Sequence, residues 1–424
     1  MHRARGRSER IAVIGAGVAG LTAGYLLSRR FDVTVYEAAD RLGGHAHTHD
    51  VIDSQHRRHR IDTGFIVHND RTYPNLRRMF SELGVDTQPT EMSMSIRCDG
   101  CGLEYAGGRG VGGVVAQPGR LTSRRFVRML AEVVRFHRAA RAVLAEGNDE
   151  LTWGGFLARH TFSRYFVQHF AVPLVACVWS SGYDAALGYP ARYLFRFLDH
   201  HGMLSVTGSP QWRTVTGGSA RYVDAVAPHV GEVRLSAPVT ALLRHTDGVQ
   251  VRTADDRVIQ HDRVVLATHA DTALDLLADA SAEEKSLLGA FRYTENPVWL
   301  HRDASVLPRT TRARSSWNYR LTDCDGTSGQ VLVSYWMNRL HDLTSADEHL
   351  VTLNPDGWVD PSTVISRATY HHPVFTRESV AAGTELRTAG GPRLAFAGAH
   401  LGWGFHEDGC RSGVEAAARF GADW

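Results

Sequence analysis

The feature that most constrains the fold is a glycine-rich turn close to the amino terminus. Residues 11–14 form an apolar run typical of a strand buried on both faces. Gly15, Gly17 and Gly20 follow in the spacing GxGxxG. The first glycine permits a tight turn, the second lets the backbone approach a ligand, and the third allows close packing of helix on strand. This order predicts a Rossmann-type dinucleotide site with the diphosphate at the helix amino terminus.

A second strand and a second glycine pair extend this motif. Residues 33–36 form another apolar run ending at Glu37, about 20 residues after the turn, where an acidic side chain binds the adenosine ribose. Arg41, Gly43 and Gly44 follow in the order RxGG. They resemble the second glycine motif of two-dinucleotide-binding flavoproteins, in which this loop closes over the FAD diphosphate. The resemblance favours FAD over NAD as the cofactor.

Length and charge are those of a soluble globular protein. The chain has 424 residues, enough for two domains, and a formal net charge of +2. A charge this close to zero argues against nucleic acid as the main partner. The basic residues 1–10 lead into the first strand without a signal-type apolar core, and no apolar run has membrane-spanning length. We therefore expect a cytoplasmic protein without a transmembrane segment.

Two groups of potential metal ligands are visible, and we interpret neither as a metal site. Cys98 and Cys101 form a CxxC within a segment that predicts a strand, an Asp-Gly turn and a strand. We interpret this pair as a hairpin tip; the alternative is a redox or metal-binding pair, although no second CxxC completes a zinc site. His45, His47 and His49 alternate along the chain, but closure of this loop over the phosphates of the cofactor explains the loop better than a metal site does. We expect no bound metal.

The cofactor domain is predicted to be assembled from separated segments. Residues 232–269 predict a strand, a meander and another apolar strand, and residues 393–421 predict a strand followed by a helix. The expected fold class is α/β, with a Rossmann-like FAD-binding domain and an inserted α+β substrate-binding domain. The predicted FAD-binding domain comprises 1–75, 215–285 and 386–424, and the substrate-binding domain comprises 76–214 and 286–385.

Residues 120–146 predict a long amphipathic helix whose polar face is rich in arginine. We interpret the arginines as a solvated charged face. The alternative is a docking surface for an acidic carrier protein or for an anionic lipid surface, which would give peripheral membrane contact.

Five longer blocks carry a family resemblance that covers nearly the whole chain. They are RLGGHAHT at 41–48, IDTGFIVHNDRTYPNL at 61–76, SPQWRTVTGGSARYVDA at 209–225, VVLATHAD at 264–271 and AGAHLGWGFHEDGCRSG at 397–413. With these blocks the chain resembles the flavin amine oxidase and phytoene desaturase superfamily. Within it, the chain most resembles bacterial FAD-dependent oxidoreductases whose genes often neighbour cyclopropane-fatty-acid-synthase-like methyltransferases.

The resemblance implies a place on FAD for individual residues. The two glycine turns would hold the diphosphate, with His45 where many amine oxidases carry arginine. The backbone of Val239 would meet the adenine, and Gly398 the ribityl chain. The last helix would begin at Asp408 and direct N–H groups at the flavin O2. The cofactor-binding residues predicted in this way are Gly15, Ala16, Gly17, Val18, Ala19, Gly20, Glu37, Ala38, Arg41, Gly43, Gly44, His45, Gly64, Phe65, Val239, Gly398, Asp408, Gly409, Cys410 and Gly413.

The expected chemistry is hydride transfer to flavin N5. Amine oxidases of the superfamily usually place a lysine near N5, whereas residues 291–303 contain none and Lys285 lies in a charged helical stretch. An aromatic-rich substrate region predicts a mostly apolar pocket. His406, Glu407 and Asp408 are the candidate catalytic acid–base groups, although either carboxylate could instead cap the following helix.

We therefore expect an FAD-dependent oxidoreductase, a dehydrogenase or desaturase, acting on a hydrophobic lipid-like or natural-product substrate. Amine oxidation, a redox-neutral flavin isomerisation and a non-catalytic flavoprotein partner of a methyltransferase are the alternatives, because fold alone does not decide function. A hydrophobic small molecule or acyl chain is the expected substrate. A carrier protein and a methyltransferase are the candidate protein partners.

Overall fold

The structure is a computed structural model that describes residues 8–147, 149–179, 182–205, 208–325 and 331–424. These residues contain twenty strands, most of which belong to two large sheets. In chain order the strands are β1 (Arg10–Ile14), β2 (Asp32–Tyr36), β3 (Thr48–Ile52), β4 (Arg58–Asp62), β5 (His68–Asn69), β6 (Thr87–Thr90), β7 (Met94–Cys98), β8 (Leu103–Gly107), β9 (Trp212–Val215), β10 (Glu232–Arg234), β11 (Val239–Arg244), β12 (Val249–Thr253), β13 (Val258–His261), β14 (Arg263–Leu266), β15 (Arg292–His301), β16 (Trp317–Leu321), β17 (Leu332–Trp336), β18 (Leu350–Leu353), β19 (Val364–Val374) and β20 (Leu394–Phe396).

The helices pack against both large sheets. In chain order they are α1 (Val18–Leu27), α2 (Pro74–Glu82), α3 (Gly110–Val114), α4 (Arg124–Glu146), α5 (Trp153–Arg159), α6 (Arg164–Phe166), α7 (Val172–Trp179), α8 (Tyr183–Gly188), α9 (Ala191–His200), α10 (Ala220–Val226), α11 (Ala270–Leu276), α12 (Ala282–Leu288), α13 (Met337–Leu340), α14 (Arg377–Leu386) and α15 (His406–Arg419). A π-helical turn at Val167–Ala171 joins α6 to α7. No helix in the described part of the chain is long and apolar enough to cross a membrane.

Five parallel strands form the first sheet, in the order β10-β2-β1-β14-β20. Val13 on β1 pairs with Val35 on one side and with Val265 on the other. All three valines are buried, because helices cover a parallel sheet on its faces. The strands come from three separated stretches of chain, which confirms the predicted α/β class with a segmented Rossmann-like sheet. The boundaries of the two domains stay a prediction.

Glycines bring the first and last helices into close contact on this sheet. A Cβ atom on Gly413 of α15 would lie 2.4 Å from the carbonyl oxygen of Ala19 on α1, and one on Gly409 would lie 2.6 Å from Val18 Cγ1. Only glycine lets the two helix backbones approach this closely. The contact fixes the amino terminus of α15 beside the glycine turn that precedes α1.

The second large sheet has seven strands, in the order β19-β15-β18-β17-β16-β7-β8. Strands β7 and β8 form the predicted hairpin, and β7 also pairs in parallel with β16. Phe136 of α4 lies in the hydrophobic core beside this sheet, with ring centroids 5.7 Å from Trp153 and 6.0 Å from Phe195. This core fixes the helical segment that carries the walls of the cavity described below.

The predicted helix at 120–146 is divided by the structure. A 3-10 turn covers Pro118–Thr122, and α4 begins at Arg124 because Ser123 is extended, with ψ at 112°. The helix buries Phe126 and Met129. The arginines of its polar face are exposed, namely Arg124, Arg125, Arg128, Arg135 and Arg138. A solvated charged face therefore accounts for their positions. Binding of an acidic carrier protein or lipid surface to this face stays a prediction.

Candidate active site

A cavity of about 500 Å³ is lined by residues of the seven-stranded sheet, by the turns at the carboxyl ends of strands of the parallel sheet, and by other loops and helices. Three groups of residues contribute to its lining: the glycine turns, a group of histidines and tyrosines, and a group of aromatic side chains. The sequence-predicted residues that line it are Gly15, Gly17, Val18, Ala19, Glu37, Gly44, His45, Gly64, Phe65, Gly398 and His406.

The first glycine turn leaves open space at the amino terminus of α1. Gly15 has a φ of 98°, and a Cβ there would lie 2.7 Å from the Ala267 carbonyl oxygen. A Cβ on Gly17, in contrast, would meet no protein atom within 4 Å. Gly17 precedes the first turn of α1, whose N–H groups favour anions. The turn therefore fits the diphosphate of a dinucleotide.

Glu37 lies at the carboxyl end of β2 and lines the same cavity. Its carboxylate accepts hydrogen bonds from the N–H groups of Ala16, at 2.7 Å, and Ala39, at 2.9 Å. Each carboxylate oxygen can accept further bonds. Glu37 is thus held in place by the backbone and fits the role of hydroxyl acceptor for a ribose.

Arg41 supports the second glycine turn from within. Its guanidinium donates to the carbonyl oxygen of Gly44 at 2.8 Å and to that of Ala46 at 3.3 Å. The N–H of Gly43 donates to the Ala16 carbonyl oxygen at 2.9 Å, which joins the two turns. Arg41 and Gly43 therefore act by shaping the loop, and Gly44 is the member of the motif that lines the cavity.

His45 presents an unpartnered nitrogen in this region. Its Nε2 is buried and has no hydrogen-bond partner among the described residues, although the residue lines the cavity. Burial holds the pKa of His45 well below its usual value, so the imidazole is neutral. A buried polar atom without a partner is costly. A phosphate or flavin oxygen would satisfy it, so this observation supports the fit of FAD.

A cluster of histidines and tyrosines lies beside His45, and we call it the histidine group. It comprises His45, His269, Tyr293, Tyr370, His371 and His372. The ring centroid of His45 is 4.8 Å from that of Tyr370 and 5.8 Å from that of His372, and His269 stacks on Tyr293 at 4.4 Å. The site prediction omitted all of this group except His45. The motif YHH at 370–372 was the available signal, but sequence alone does not show which face of β19 meets the cavity.

The neutral state of His372 defines its hydrogen-bonding role. Burial lowers its pKa to about 4. The side-chain amide of Asn296 on β15 donates to His372 Nδ1 at 3.0 Å, so the ring proton lies on Nε2. His372 can therefore donate one hydrogen bond from Nε2.

Four large side chains form the part of the lining that we call the aromatic wall: Trp179, Phe197, Trp403 and Phe405. Phe197 stacks on Phe405 with centroids 4.6 Å apart, and Trp179 lies 4.8 Å from Phe197. The indole N–H of Trp179 donates to the Trp403 carbonyl oxygen at 3.0 Å. The polar atom of Trp179 is thus satisfied by protein, and its rings present an apolar surface.

His406 is the one predicted catalytic residue that lines the cavity. It lies at the start of α15 and stacks on Phe65, with centroids 3.8 Å apart and an 8° angle between the planes. Its Nε2 lies 2.8 Å from the hydroxyl of Tyr222. Burial lowers the pKa of His406 to about 3, so it is a neutral and weakly basic imidazole.

Glu407 and Asp408 do not line the cavity, which favours the capping alternative over the predicted acid–base role. Glu407 accepts from the Asn75 side chain at 2.7 Å and from the N–H groups of Asn75 and Leu76 at the start of α2. Asp408 accepts from the Phe405 N–H at 3.0 Å and from Arg411 at 2.8 Å. Burial raises the pKa of Asp408 to about 6. Both carboxylates cap helices.

Other predicted cofactor residues do not line the cavity. Cys410 is buried with its Sγ 3.5 Å from Thr22 Oγ1 on α1, so it packs the two helices together. Val239 begins β11, and Ala38 is exposed beyond Glu37. The predicted residues outside the lining are Ala16, Gly20, Ala38, Arg41, Gly43, Val239, Glu407, Asp408, Gly409, Cys410 and Gly413.

Comparison with known proteins agrees with this geometry. A family model described as flavin containing amine oxidoreductase matches residues 18–420. No curated protein matches the sequence. Cyclohexylamine oxidase from Brevibacterium oxydans IH-35A is 18% identical, with a TM-score of 0.70 over 97% of this chain and 98% of that one. A fatty acid isomerase from P. acnes that produces CLA is also 18% identical, with a TM-score of 0.70 over 97% and 99%.

Putrescine oxidase bound to putrescine is 16% identical, with a TM-score of 0.70 over 97% of this chain and 98% of that one. These structures share the fold, and the differences among their activities leave the substrate of this chain open. The family match confirms the predictions of the FAD cofactor and of the enzyme class. The chain belongs to the flavin-containing amine oxidoreductase family and is an FAD-dependent oxidoreductase.

Proposed function

We propose that this enzyme is a dehydrogenase or desaturase for a hydrophobic, lipid-like or natural-product substrate. One observation carries the proposal: Glu37, at the glycine turn, is the sole Asp, Glu, Lys or Arg among the described residues that line the cavity. An ionised substrate group buried at the aromatic wall would lack a charged partner, which is costly. An uncharged chain suits this surface better.

Different residues of the chain bind the cofactor, bind the substrate and orient it. Bound FAD supplies the hydride acceptor. The glycine turns and Glu37 hold the cofactor, while the aromatic wall binds the substrate chain and excludes water. His372 donates a hydrogen bond from Nε2 to an oxygen of the substrate or cofactor. His406, stacked on Phe65, limits how the substrate can lie.

Amine oxidation is less well supported by the same residues. Strand β15 carries no lysine, and Lys285 is exposed on α12, outside the cavity lining. The resemblance to amine oxidases would place a lysine on that strand. An amine substrate would also have to bind without a carboxylate at the aromatic wall.

The test is anaerobic mixing of the FAD-loaded enzyme with methyl-branched and unsaturated acyl substrates, followed by flavin absorbance. Loss of the absorbance of oxidised flavin is expected with at least one class. Trp403→Ala should weaken substrate binding about 10- to 100-fold, because an aromatic contact of about 1.5–3 kcal/mol is lost. Trp358→Ala is the matched control, since Trp358 is 36% exposed and outside the cavity.

The rival functions give different results in this assay. Hydrogen peroxide from a hydrophobic amine would identify an amine oxidase, and rearranged product without consumption of an electron acceptor would identify an isomerase. Flavin that stays oxidised with every acyl class would contradict the proposal. If the His406→Ala variant still raised the activity of a co-purifying methyltransferase, a non-catalytic role of this protein would replace the proposed dehydrogenase or desaturase function.

A further inference from the structure

A cluster of three cysteines and one histidine lies outside the flavin cavity. It consists of Cys98, Cys101, His169 and Cys324, whose ligand atoms all lie within 4.8 Å of one another. Cys98 Sγ is 3.8 Å from Cys324 Sγ, and Cys101 Sγ is 3.6 Å from His169 Nε2. None of the four residues lines the cavity. The function proposed above does not use them.

These separations match the edges of a zinc tetrahedron. Zn–S bonds of about 2.3 Å and Zn–N bonds of about 2.0–2.1 Å place two sulfurs about 3.8 Å apart and a sulfur and a nitrogen about 3.6 Å apart. We propose that Cys98, Cys101, His169 and Cys324 bind one structural Zn²⁺ ion. Four protein ligands close the coordination shell, so the ion has no open position for catalysis.

The surroundings of His169 orient it as a ligand. Its Nδ1 donates to the Tyr165 carbonyl oxygen at 3.0 Å, which leaves the Nε2 lone pair directed at the cysteines. Metal-bound histidines have a second hydrogen bond of this kind. The ring also stacks on Tyr165 at 4.0 Å. His169 lies in the π-helical turn between α6 and α7, an irregularity frequent at functional sites.

The two loops that carry the cysteines are held together independently. The Asp99 N–H donates to the Leu321 carbonyl oxygen at 2.9 Å. A Cβ on Gly100 would lie 2.9 Å from the Cα of Asp323, so glycine permits the approach of the β7–β8 turn to the loop after β16. Arg120 donates to the Cys101 carbonyl oxygen at 2.6 Å. The ligands are thus preorganised by backbone contacts.

The arrangement also favours a single ion over the alternatives. Four ligand atoms within 4.8 Å enclose one metal, whereas a cluster of two irons needs its ligand pairs further apart. All three thiols of the group are free, and the 3.8 Å between Cys98 and Cys324 exceeds the disulfide bond length of about 2.05 Å. A thiolate and imidazole set of this geometry selects zinc.

No metal was expected from the sequence, because the CxxC has no second CxxC. The other two ligands are remote along the chain: His169 is 68 residues from Cys101, and Cys324 is 226 residues from Cys98. Pairing of β7 with β16 places Cys98 opposite Leu321 and so brings the second loop to the hairpin. The hairpin tip was predicted correctly, and it supplies half of the proposed site.

The test is the zinc content of FAD-loaded enzyme purified under reducing conditions without added metal. We expect about one zinc per chain, lost in Cys324→Ser and Cys101→Ser and retained in Cys177→Ala. Cys177 is buried on α7 outside the cluster, so this control separates metal loss from general loss of a cysteine. Flavin content, read from the same samples, should change little in folded variants.

Cobalt substitution of the unmutated enzyme provides a readout that does not depend on the folding of variants. Tetrahedral Co²⁺ bound by thiolates gives intense visible bands and a charge-transfer band in the near ultraviolet. Their absence, together with less than about 0.1 zinc per chain after incubation of the reduced enzyme with Zn²⁺, would overturn the proposal. Unchanged zinc in both serine variants, or a disulfide between these cysteines in enzyme purified with reductant, would also overturn it.

Discussion

Replacement of Glu407 by glutamine separates a structural role from a catalytic one. The carboxylate accepts three hydrogen bonds from Asn75 and Leu76 at the start of α2. Glutamine keeps one oxygen acceptor and places an NH₂ group where the second oxygen was. Leu76 is fully buried, so its N–H would then lack an acceptor. We expect Glu407→Gln to reduce stability and to leave the rate of flavin reduction nearly unchanged.

The magnitude follows from these contacts. An unsatisfied buried donor costs about 1–3 kcal/mol, and loss of a negative charge at a helix amino terminus costs about 0.3–1 kcal/mol. Burial raises the pKa of Glu407, so removal of the charge recovers part of this cost. The net loss is about 2 kcal/mol. At about 2.1 cal/mol/K per residue, the unfolding entropy of the 424-residue chain is about 0.9 kcal/mol/K, so the midpoint of thermal unfolding should fall by about 2 °C.

The assay pairs calorimetry of the FAD-loaded enzyme with single-turnover flavin reduction. Glu415→Gln is the matched control, because Glu415 lies on the same helix, is 36% exposed and pairs with Arg387. That change should cost less than about 1 kcal/mol. A fall of more than about 100-fold in the rate of flavin reduction, with unchanged thermal stability, would refute the capping role and return Glu407 to the chemistry.

Two further predictions concern the cofactor and pH. Gly17→Val should lower FAD content at least about tenfold with little change in apoprotein stability, since the valine side chain enters the cavity. Gly119→Val is the control, because it also adds a side chain in open space but outside the lining, and it should retain FAD. Normal FAD content in Gly17→Val would contradict the assigned diphosphate site. Burial lowers the pKa of His68 and His301 to about 4, below the unfolded value of about 6.5. Their contribution to the free energy of unfolding is therefore present above pH 6.5 and is lost as pH falls towards 4. At pH 5.5 each histidine should lower the free energy of unfolding by about 1 kcal/mol. A urea denaturation midpoint that does not decrease when the pH is lowered from 7.5 to 5.5 would contradict this.

The parts of the site that lie close together along the chain were predictable. Strand, glycine turn, helix and acidic strand end follow one another within residues 11–37, and each has a local physical signature. The parallel sheet followed from this unit and from two further apolar strands. The β7–β8 hairpin was equally local, because its Asp-Gly turn specifies the pairing.

The parts that depend on distant segments were not predictable. From its place in the sequence, Glu407 could cap the helix that follows it, whereas in the structure it caps α2, 332 residues earlier. The histidine group joins the second glycine turn to β19, and Tyr370 lies 323 residues from His47, with which it shares a hydrogen bond. No local sequence pattern specifies contacts between such distant residues, because these contacts follow from the order of strands in the sheets and from helix packing.

The order of strands in the parallel sheet has a consequence for biosynthesis. Strand β20 pairs with β14, and α15 packs on α1, so residues 394–419 complete a layer that residues 10–36 begin. Residues 394–419 must therefore leave the ribosome before β20 and α15 can complete the structure around the first glycine turn. Nascent chains that end before residue 394 should emerge without bound flavin and expose apolar surface to chaperones, whereas chains in which residues 394–419 have folded should acquire the cofactor.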